Sequence, residues 1–367
     1  MKIAQIAPLV ESCPPRLYGG TERIVSYLTE ELVQQGHDVT LFASGDSKTQ
    51  AELVSCADIG LRLNPHFHDP LPHHVLMLER VRERAHEFDV IHFHIDLLQF
   101  PIVHPFADRT VTTLHGRQDL HGLKTFYSAF PNVPLASISF NQRAPLPPRV
   151  NWAGNVYHGL PLDLLRFSPE AHGGYLAFLG RISPEKRPDR AIEIAVRAGL
   201  PLKIAAKVDK NDQDWWDEVI EPMVKASPLV EFVGEIDERQ KADFLGGAIA
   251  LLFPIDWPEP FGLVMIESMA CGTPVIAFRS GSVPEVVDDG VTGFVVGNVE
   301  EAVEAVGRIR EIDRATVRAG FENRFTVERM ARDYLKIYAG LPGSRREEML
   351  PRVVNGRAHS IGLGLPG

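Results

Sequence analysis

Short apolar runs alternate with longer segments of helical spacing along most of the chain. The run over residues 2–8 predicts a buried strand, and a loop with Gly19 and Gly20 follows it. Apolar residues then recur at helical spacing up to Gly36, which predicts a helix with Thr21 as its N-cap. Further strands are predicted at VTLFAS (39–44), VIHFHI (90–95), TVTTLH (110–115) and LASIS (135–139).

The alternation weakens over residues 141–175, where several prolines and Gly173-Gly174 predict a linker. It then resumes, and a last helix is predicted over residues 325–338 with Thr326 as its N-cap. Repeated strand-helix alternation favours parallel sheets covered by helices, here in two similar halves. Strands of the second half are predicted at YLAFLG (175–180), LKIAAK (202–207), VEFVG (230–234), AIALLFP (248–254) and PVIAF (274–278).

Composition narrows the class of protein. A length of 367 residues favours two domains, and a net charge of -10 argues against a large basic surface for nucleic acid or anionic lipid. Three cysteines are too few and too scattered for a disulfide framework or a zinc site. The start carries no secretory signal, and no window approaches the ~20 apolar residues of a membrane span. We therefore expect a cytoplasmic protein without strong membrane association.

The stretch DWPEPFGLVMIESMACGTP (256–274) holds Glu259 and Glu267 on either side of a Pro-Phe-Gly turn. A strand is expected to enter this turn, and a helix to leave it and end at Gly272. The N-terminus of a helix binds anions through its free N–H groups and its dipole. A phosphate there, with a carboxylate on each side for hydroxyl groups, matches a nucleotide sugar. Taken alone, however, the spacing fits equally well a capped helix with two ordinary acidic side chains.

Two cations lie in FLGRISPEKRP, the loop after the first strand of the second half. Parallel sheets bind ligands outside the carboxyl ends of their strands, so Arg181 and Lys186 are expected to face a crevice. Two cations suit a diphosphate that gains charge as it leaves, although a solvated loop is the alternative. Farther along, SGSVPEVVDDGVTGFVV (280–296) predicts a Gly-Ser turn, a short helix and a Gly-bounded turn, and the role of Glu285 stays open.

GRISPEKR, EPFGLVMIESMACGTPVIA and GSVPEVVDDGVTGFVV, in that order and spacing, resemble glycosyltransferase family 4, the retaining GT-B enzymes. The resemblance covers residues 1–340 and is most specific over 175–297. In the first half it rests on YGGTE (18–22), TLHG (113–116) and VYHGLPLD (156–163). It implies an α/β fold of the GT-B type, with two Rossmann-like domains whose parallel sheets face a central cleft. The implied parts are an acceptor-side domain (1–160), a donor-binding domain (161–325), a helix crossing back to the first domain (326–340) and a disordered tail (341–367).

The resemblance also implies a role for each matching residue. Glu267 would bind the ribose hydroxyls and Glu259 the hydroxyls of the transferred sugar. Arg181 and Lys186 would hold the diphosphate, and His115 would contact the transferred sugar. The other implied donor contacts are Gly19 and Gly20 from the first domain, and the backbone of Phe261, Gly262 and Leu263.

The implied reaction is retaining transfer of a hexose from a nucleotide diphosphate sugar to an acceptor hydroxyl, without a metal or cofactor. UDP-glucose is the favoured donor and GDP-mannose the second, while the acceptor loops carry no chemical signature. A nucleotide-sugar epimerase on the same fold and a non-catalytic nucleotide-sugar-binding protein remain alternatives. A nicotinamide dehydrogenase is disfavoured because no G-x-G-x-x-G follows the first strand.

The chain departs from the family pattern in two places. Residues 205–209 (AAKVD) replace a frequent Gly-x-Gly, and His158-Gly159 replaces an Asn-Gly pair.

Two segments resemble metal-binding motifs, but each has a simpler explanation. Asp212-Gln213-Asp214 falls in a charged surface run, and the HFHID segment (92–96) is better explained by residues at a strand end. The histidines at 66, 68, 73 and 74 lack helical ligand spacing and are expected in a loop.

Overall fold

The computed structural model describes residues 1–16, 19–64 and 69–343. Nearly all of the predicted tail lies outside the described residues, as do Tyr18, His66 and His68. The described chain forms two sheets, and every strand pair in them is parallel. The α/β prediction with two parallel sheets is therefore confirmed.

The first sheet has seven strands in the order β3-β2-β1-β4-β5-β6-β7, and the second has six in the order β10-β9-β8-β11-β12-β13. In each, the chain starts near the middle of the sheet and winds outward in both directions. The carboxyl ends of the central strands therefore meet at one edge, where ligands bind in such folds. The strands are β1 Lys2–Ile6, β2 Asp38–Ser44, β3 Glu52–Ala57, β4 Val90–Phe93, β5 Thr110–Thr113, β6 Leu135–Ser137, β7 Trp152–Asn155, β8 Tyr175–Ile182, β9 Leu202–Val208, β10 Val230–Gly234, β11 Ala248–Phe253, β12 Val275–Phe278 and β13 Gly293–Val296.

Helices pack on the sheets through apolar faces, as the helical spacing predicts. The residues that α1 buries include Ile24, Val25, Leu28 and Leu32. The α-helices are α1 Gly20–Gln34, α2 Leu71–Arg84, α3 Leu123–Ala129, α4 Pro188–Ala198, α5 Gln213–Trp215, α6 Glu221–Ala226, α7 Glu238–Gly246, α8 Leu263–Ala270, α9 Val283–Val286, α10 Val299–Arg308, α11 Arg314–Arg324 and α12 Val327–Gly340.

Several local predictions differ from the structure. Helix α1 begins at Gly20 after Gly19, without a side-chain cap, so the Thr21 cap is wrong. The expected linker contains β7, which pairs with β6 at the edge of the first sheet. The Gly-bounded turn after α9 includes strand β13. By contrast, the Thr326 hydroxyl accepts a hydrogen bond from the Arg329 N–H, so that cap is confirmed.

Helix α12 follows the second sheet in sequence but packs on the first. Its Tyr334 and Tyr338 are fully buried. The Tyr334 hydroxyl lies 2.9 Å from the Thr113 hydroxyl on β5, and the Tyr338 hydroxyl lies 2.7 Å from Nδ1 of His92 on β4. Helix α12 thus returns to the first sheet and fastens the two halves together.

Glu285, whose role the sequence left open, joins the two halves on one side of the region between the sheets. Its carboxylate accepts hydrogen bonds from the backbone N–H groups of Phe140 and Asn141, both at 2.7 Å. It also accepts one from the Tyr157 hydroxyl at 3.0 Å. Elsewhere between the halves, Arg23 of α1 forms an ion pair with Glu238 of α7.

Candidate active site

A cleft of about 530 Å³ lies between the two sheets. The residues that line it come from the loops at the carboxyl ends of the strands and from the starts of α1, α7 and α8. All ten residues predicted for the site line this cleft: Gly19, Gly20, His115, Arg181, Lys186, Glu259, Phe261, Gly262, Leu263 and Glu267.

Gly262 and Ser282 stabilise the conformation of the turn before α8. Gly262 has a φ of 80°, and a Cβ there would lie 2.6 Å from Cε of Met265, so this position requires glycine. The Ser282 hydroxyl donates to the carbonyl oxygen of Phe261 at 2.8 Å, and the Ser282 N–H donates to that of Glu259 at 2.9 Å. The N-terminus of α8 is thereby fixed toward the cleft.

Glu259 is buried in this turn and is held by two donors. Lys186 forms an ion pair with its Oε2, and the indole N–H of Trp257 donates to the same oxygen at 3.0 Å. The ammonium of Lys186 also lies 4.8 Å from the centre of the Trp257 ring, within the range of a cation–π contact. One carboxylate, one ammonium and one indole therefore form a compact group at the helix end.

Glu267 lies one turn farther along α8 and is also buried. Its Oε1 lies 2.6 Å from Nζ of Lys241 on α7, and Lys241 lies 3.4 Å from Glu238. Because Glu238 in turn pairs with Arg23, this carboxylate is connected to the opposite wall of the cleft by a chain of ion pairs.

Arg181 is surrounded by carboxylates at the end of β8. It lies 2.5 Å from Glu185, 3.7 Å from Asp212 and 3.9 Å from Asp209. Burial raises the pKa of Asp212. Asp212 thus contacts an arginine of the cleft, and no group of three or more potential metal ligands occurs over residues 1–16, 19–64 and 69–343.

The first sheet contributes His115 and the glycine loop to the cleft. A Cβ at Gly20 would lie only 3.5 Å from Leu263, so the two halves come close here. His115 is half-buried, with Nε2 2.9 Å from Nδ1 of His94 and its ring stacked on that of His158. Burial lowers the pKa of His115 to about 3, so its imidazole is neutral at physiological pH.

Several residues that line the cleft are not predicted from the sequence. Lys241 and Arg23 lie on helices, and no sequence motif indicates that their side chains face the cleft. Glu22 belongs to the quoted YGGTE segment, but nothing in its spacing predicts burial, which raises its pKa to about 7. Lys207, inside the departure at 205–209, also lines the cleft.

Two family models match the sequence. Residues 18–144 match Glycosyltransferase Family 4, and residues 168–316 match Glycosyl transferases group 1. The first match covers most of the half that forms the first sheet, and the second covers Glu259 and Glu267 together with Arg181 and Lys186. Among the described residues, no helix combines the length and apolar character that crossing a membrane demands.

Individual relatives match to different extents. D-inositol 3-phosphate glycosyltransferase of Mycobacterium leprae is 31% identical over 182 residues, which cover 43% of this chain and only 38% of that protein. Phosphatidyl-myo-inositol mannosyltransferase of Propionibacterium freudenreichii is 26% identical over 368 residues, which cover 84% of this chain and 86% of that protein. The crystal structure of Anabaena HepE in complex with UDP and glucose has a TM-score of 0.70 at 21% identity, covering 93% of this chain and 100% of that chain. The predicted GT-B fold is confirmed by such neighbours.

Proposed function

Because the chain belongs to glycosyltransferase family 4, we propose that it transfers a hexose from a nucleotide diphosphate sugar to an acceptor hydroxyl with retention of anomeric configuration. The observation that carries the proposal is the placement of Glu259 in the turn before α8 and of Glu267 on α8, both on the wall of a cleft between two parallel sheets. Each carboxylate contacts a lysine, Lys186 or Lys241. Carboxylates accept hydrogen bonds from the hydroxyls of ribose and hexose, while the helix end and the cations suit the diphosphate between them.

Arg181 and Lys186 both have carboxylate partners in the cleft. Arg181 contacts Glu185 and Lys186 contacts Glu259. On donor binding, we propose that both cations turn part of their hydrogen bonding to the diphosphate. As the glycosidic bond breaks, the growing charge on the leaving oxygen is then stabilised by groups already in position.

No protein nucleophile is required on this account. The leaving phosphate takes the proton of the acceptor hydroxyl as the acceptor attacks from the same face, which retains the anomeric configuration. His115 is neutral at physiological pH, so it is suited to hydrogen bonding with a sugar hydroxyl rather than to countering charge.

We propose UDP-glucose as the first donor and GDP-mannose as the second. Neighbours of the same fold have been solved with UDP and with UDP-glucose. A relative that matches most of the chain is named a mannosyltransferase. Because Glu267 is assigned to ribose and not to the base, it does not distinguish the two nucleotides.

Thermal melting with UDP, GDP and their sugars tests the donor. A specific ligand raises the melting temperature by mass action, and uridine, which lacks the diphosphate, serves as the control. A transfer assay with a panel of hydroxyl acceptors then follows, with the anomeric configuration of the product read by NMR.

Each alternative has its own outcome in these assays. If neither UDP nor GDP raises the melting temperature at millimolar concentration, the proposal is wrong. A new nucleotide sugar formed without acceptor would indicate an epimerase. Donor binding without turnover on any acceptor would indicate a binding protein.

A further inference from the structure

We propose that Gln5 and His94 fix the tautomer of His115, so that its Nδ1 accepts a hydrogen bond from a hydroxyl of the transferred sugar. This inference rests on the proposed function, in which His115 contacts that sugar. Gln5 and His94 are positioning residues, since they act on the sugar only through His115.

The three side chains form a row across adjacent strands, in which Gln5 and His94 are buried and His115 is half-buried. Gln5 lies on β1, His94 follows β4 and His115 follows β5, and these strands are neighbours in the sheet. Nε2 of His94 lies 2.7 Å from Oε1 of Gln5, and Nδ1 of His94 lies 2.9 Å from Nε2 of His115. Gln5 is fully buried and His94 is 2% exposed, so solvent cannot replace these partners.

The orientation of the Gln5 amide determines which nitrogen donates and which accepts in each hydrogen bond of this row. Its Nε2 donates to the hydroxyl of Tyr338 on α12 at 3.1 Å, which leaves the carbonyl oxygen facing His94. A carbonyl oxygen only accepts, so the proton of neutral His94 is on Nε2. Nδ1 of His94 is then an acceptor, and the proton of His115 must be on Nε2.

Two further observations make His115 an acceptor toward the cleft. Burial lowers the pKa of both His94 and His115, so neither ring carries a second proton at physiological pH. With Nε2 engaged by His94, Nδ1 is the ring nitrogen left for a ligand. The ring of His158 stacks on one face of His115 at a centroid distance of 5.3 Å and limits its rotation.

The wild-type protein gives the first test. Long-range ¹H–¹⁵N NMR of the histidine rings distinguishes a protonated Nε2 from a protonated Nδ1 and requires no activity. We expect the Nε2–H tautomer at His115. An Nδ1–H tautomer there overturns the proposal.

Two variants of Gln5 give the second test. Gln5→Glu keeps an oxygen acceptor opposite His94, whereas Gln5→Leu removes it. We expect Gln5→Leu to lower kcat with the full donor by about 3- to 30-fold, the range of a lost buried hydrogen bond, while the affinity for the nucleoside diphosphate stays unchanged. Gln5→Glu should retain the wild-type tautomer and most of the activity. Equal loss in both variants, or loss of nucleotide affinity in step with kcat, would show a general structural role instead.

Monodeoxy donor sugars complete the design. One of them should erase the difference between wild type and Gln5→Leu, because it lacks the hydroxyl that His115 accepts from. If every deoxy donor preserves the difference, the proposed contact is wrong. Failure of the proposed function is distinguishable, since it appears as absent nucleotide binding or transfer in the wild type, whatever the tautomer of His115.

Discussion

The ammonium of Lys241 lies 2.6 Å from Oε1 of Glu267, with side-chain exposures of 14% and 6%. Helix α7 thus supplies a cation to the carboxylate of α8 that we assign to the ribose. Removing one partner of a buried ion pair leaves the other charge without compensation, which costs several kcal/mol in comparable pairs. Lys241 should therefore matter for the nucleotide although it reacts with nothing.

Lys241→Met should weaken nucleoside diphosphate binding by about tenfold or more, because Glu267 loses the cation that compensates its buried charge. Titration calorimetry with the nucleoside diphosphate measures the effect. Lys225→Met is the matched control, since Lys225 pairs with Glu221 on the surface and is 69% exposed. Equal affinities of Lys241→Met and the control would contradict the role assigned to this pair.

Much of the fold follows from the sequence because buried parallel strands are nearly continuous apolar runs. Strands such as β8 and β11 are therefore visible in the sequence. β3 (ELVSCA) carries polar residues and is only half-buried at the sheet edge, and GFVV in β13 is too short to separate from a turn. The sheet neighbours, rather than local pattern, make these segments strands.

Some residues of the candidate site are likewise predictable from the sequence, and others are not. Arg181, Lys186, Glu259 and Glu267 are predictable because a turn and a helix start fix their surroundings within a few residues. Lys241 is distant in sequence from Glu267, and its direction depends on how α7 packs beside α8. The neutral state of His115 depends on desolvation at a place where separate parts of the chain meet, with the rings of His94 and His158 against it, and no local motif encodes this.

Glu22 should make stability depend on pH. Its folded pKa of about 7 lies above the ordinary value of 4.5, chiefly through burial, with Glu11 adding a smaller repulsion. A carboxyl whose pKa is raised on folding binds its proton more tightly in the folded state, so its contribution is present below pH 4.5 and is lost as the pH rises toward 7.

Glu22→Gln should remove this loss. Between pH 5 and pH 8, the free energy of unfolding of the wild type should fall by up to about 3 kcal/mol relative to Glu22→Gln. Urea denaturation across that range measures the difference. Glu83→Gln, at an exposed position of α2, is the control. Parallel pH profiles for wild type and Glu22→Gln would show that Glu22 titrates normally.

Turnover should continue after chelation of divalent metals. We assign the neutralisation of the diphosphate to Arg181, Lys186 and the N-terminus of α8. Transfer rates with and without EDTA provide the measurement, and they should agree. A rate that collapses in EDTA and returns with Mn²⁺ or Mg²⁺ would instead make Asp212 and Asp214 candidate ligands.

Substitution of Glu259, in the turn before α8, and of Glu267, on α8, should affect different kinetic and binding constants. Glu267 is assigned to ribose, which does not react, so Glu267→Gln should weaken donor and nucleoside diphosphate alike. Glu259 is assigned to the transferred sugar, whose anomeric centre gains positive charge as the diphosphate leaves. Glu259→Gln should therefore lower kcat and have little effect on nucleoside diphosphate affinity.

Both effects should amount to roughly 10- to 150-fold, since hydrogen bonds to charged groups contribute about 1.5–3 kcal/mol. Glutamine keeps the size of each side chain, and the Trp257 N–H can still donate to an amide oxygen at position 259, which limits packing artefacts. The decisive experiment pairs calorimetric affinity for the nucleoside diphosphate with kcat for both variants. If Glu259→Gln impairs nucleotide binding while Glu267→Gln leaves it intact, the donor lies along α8 in the opposite direction.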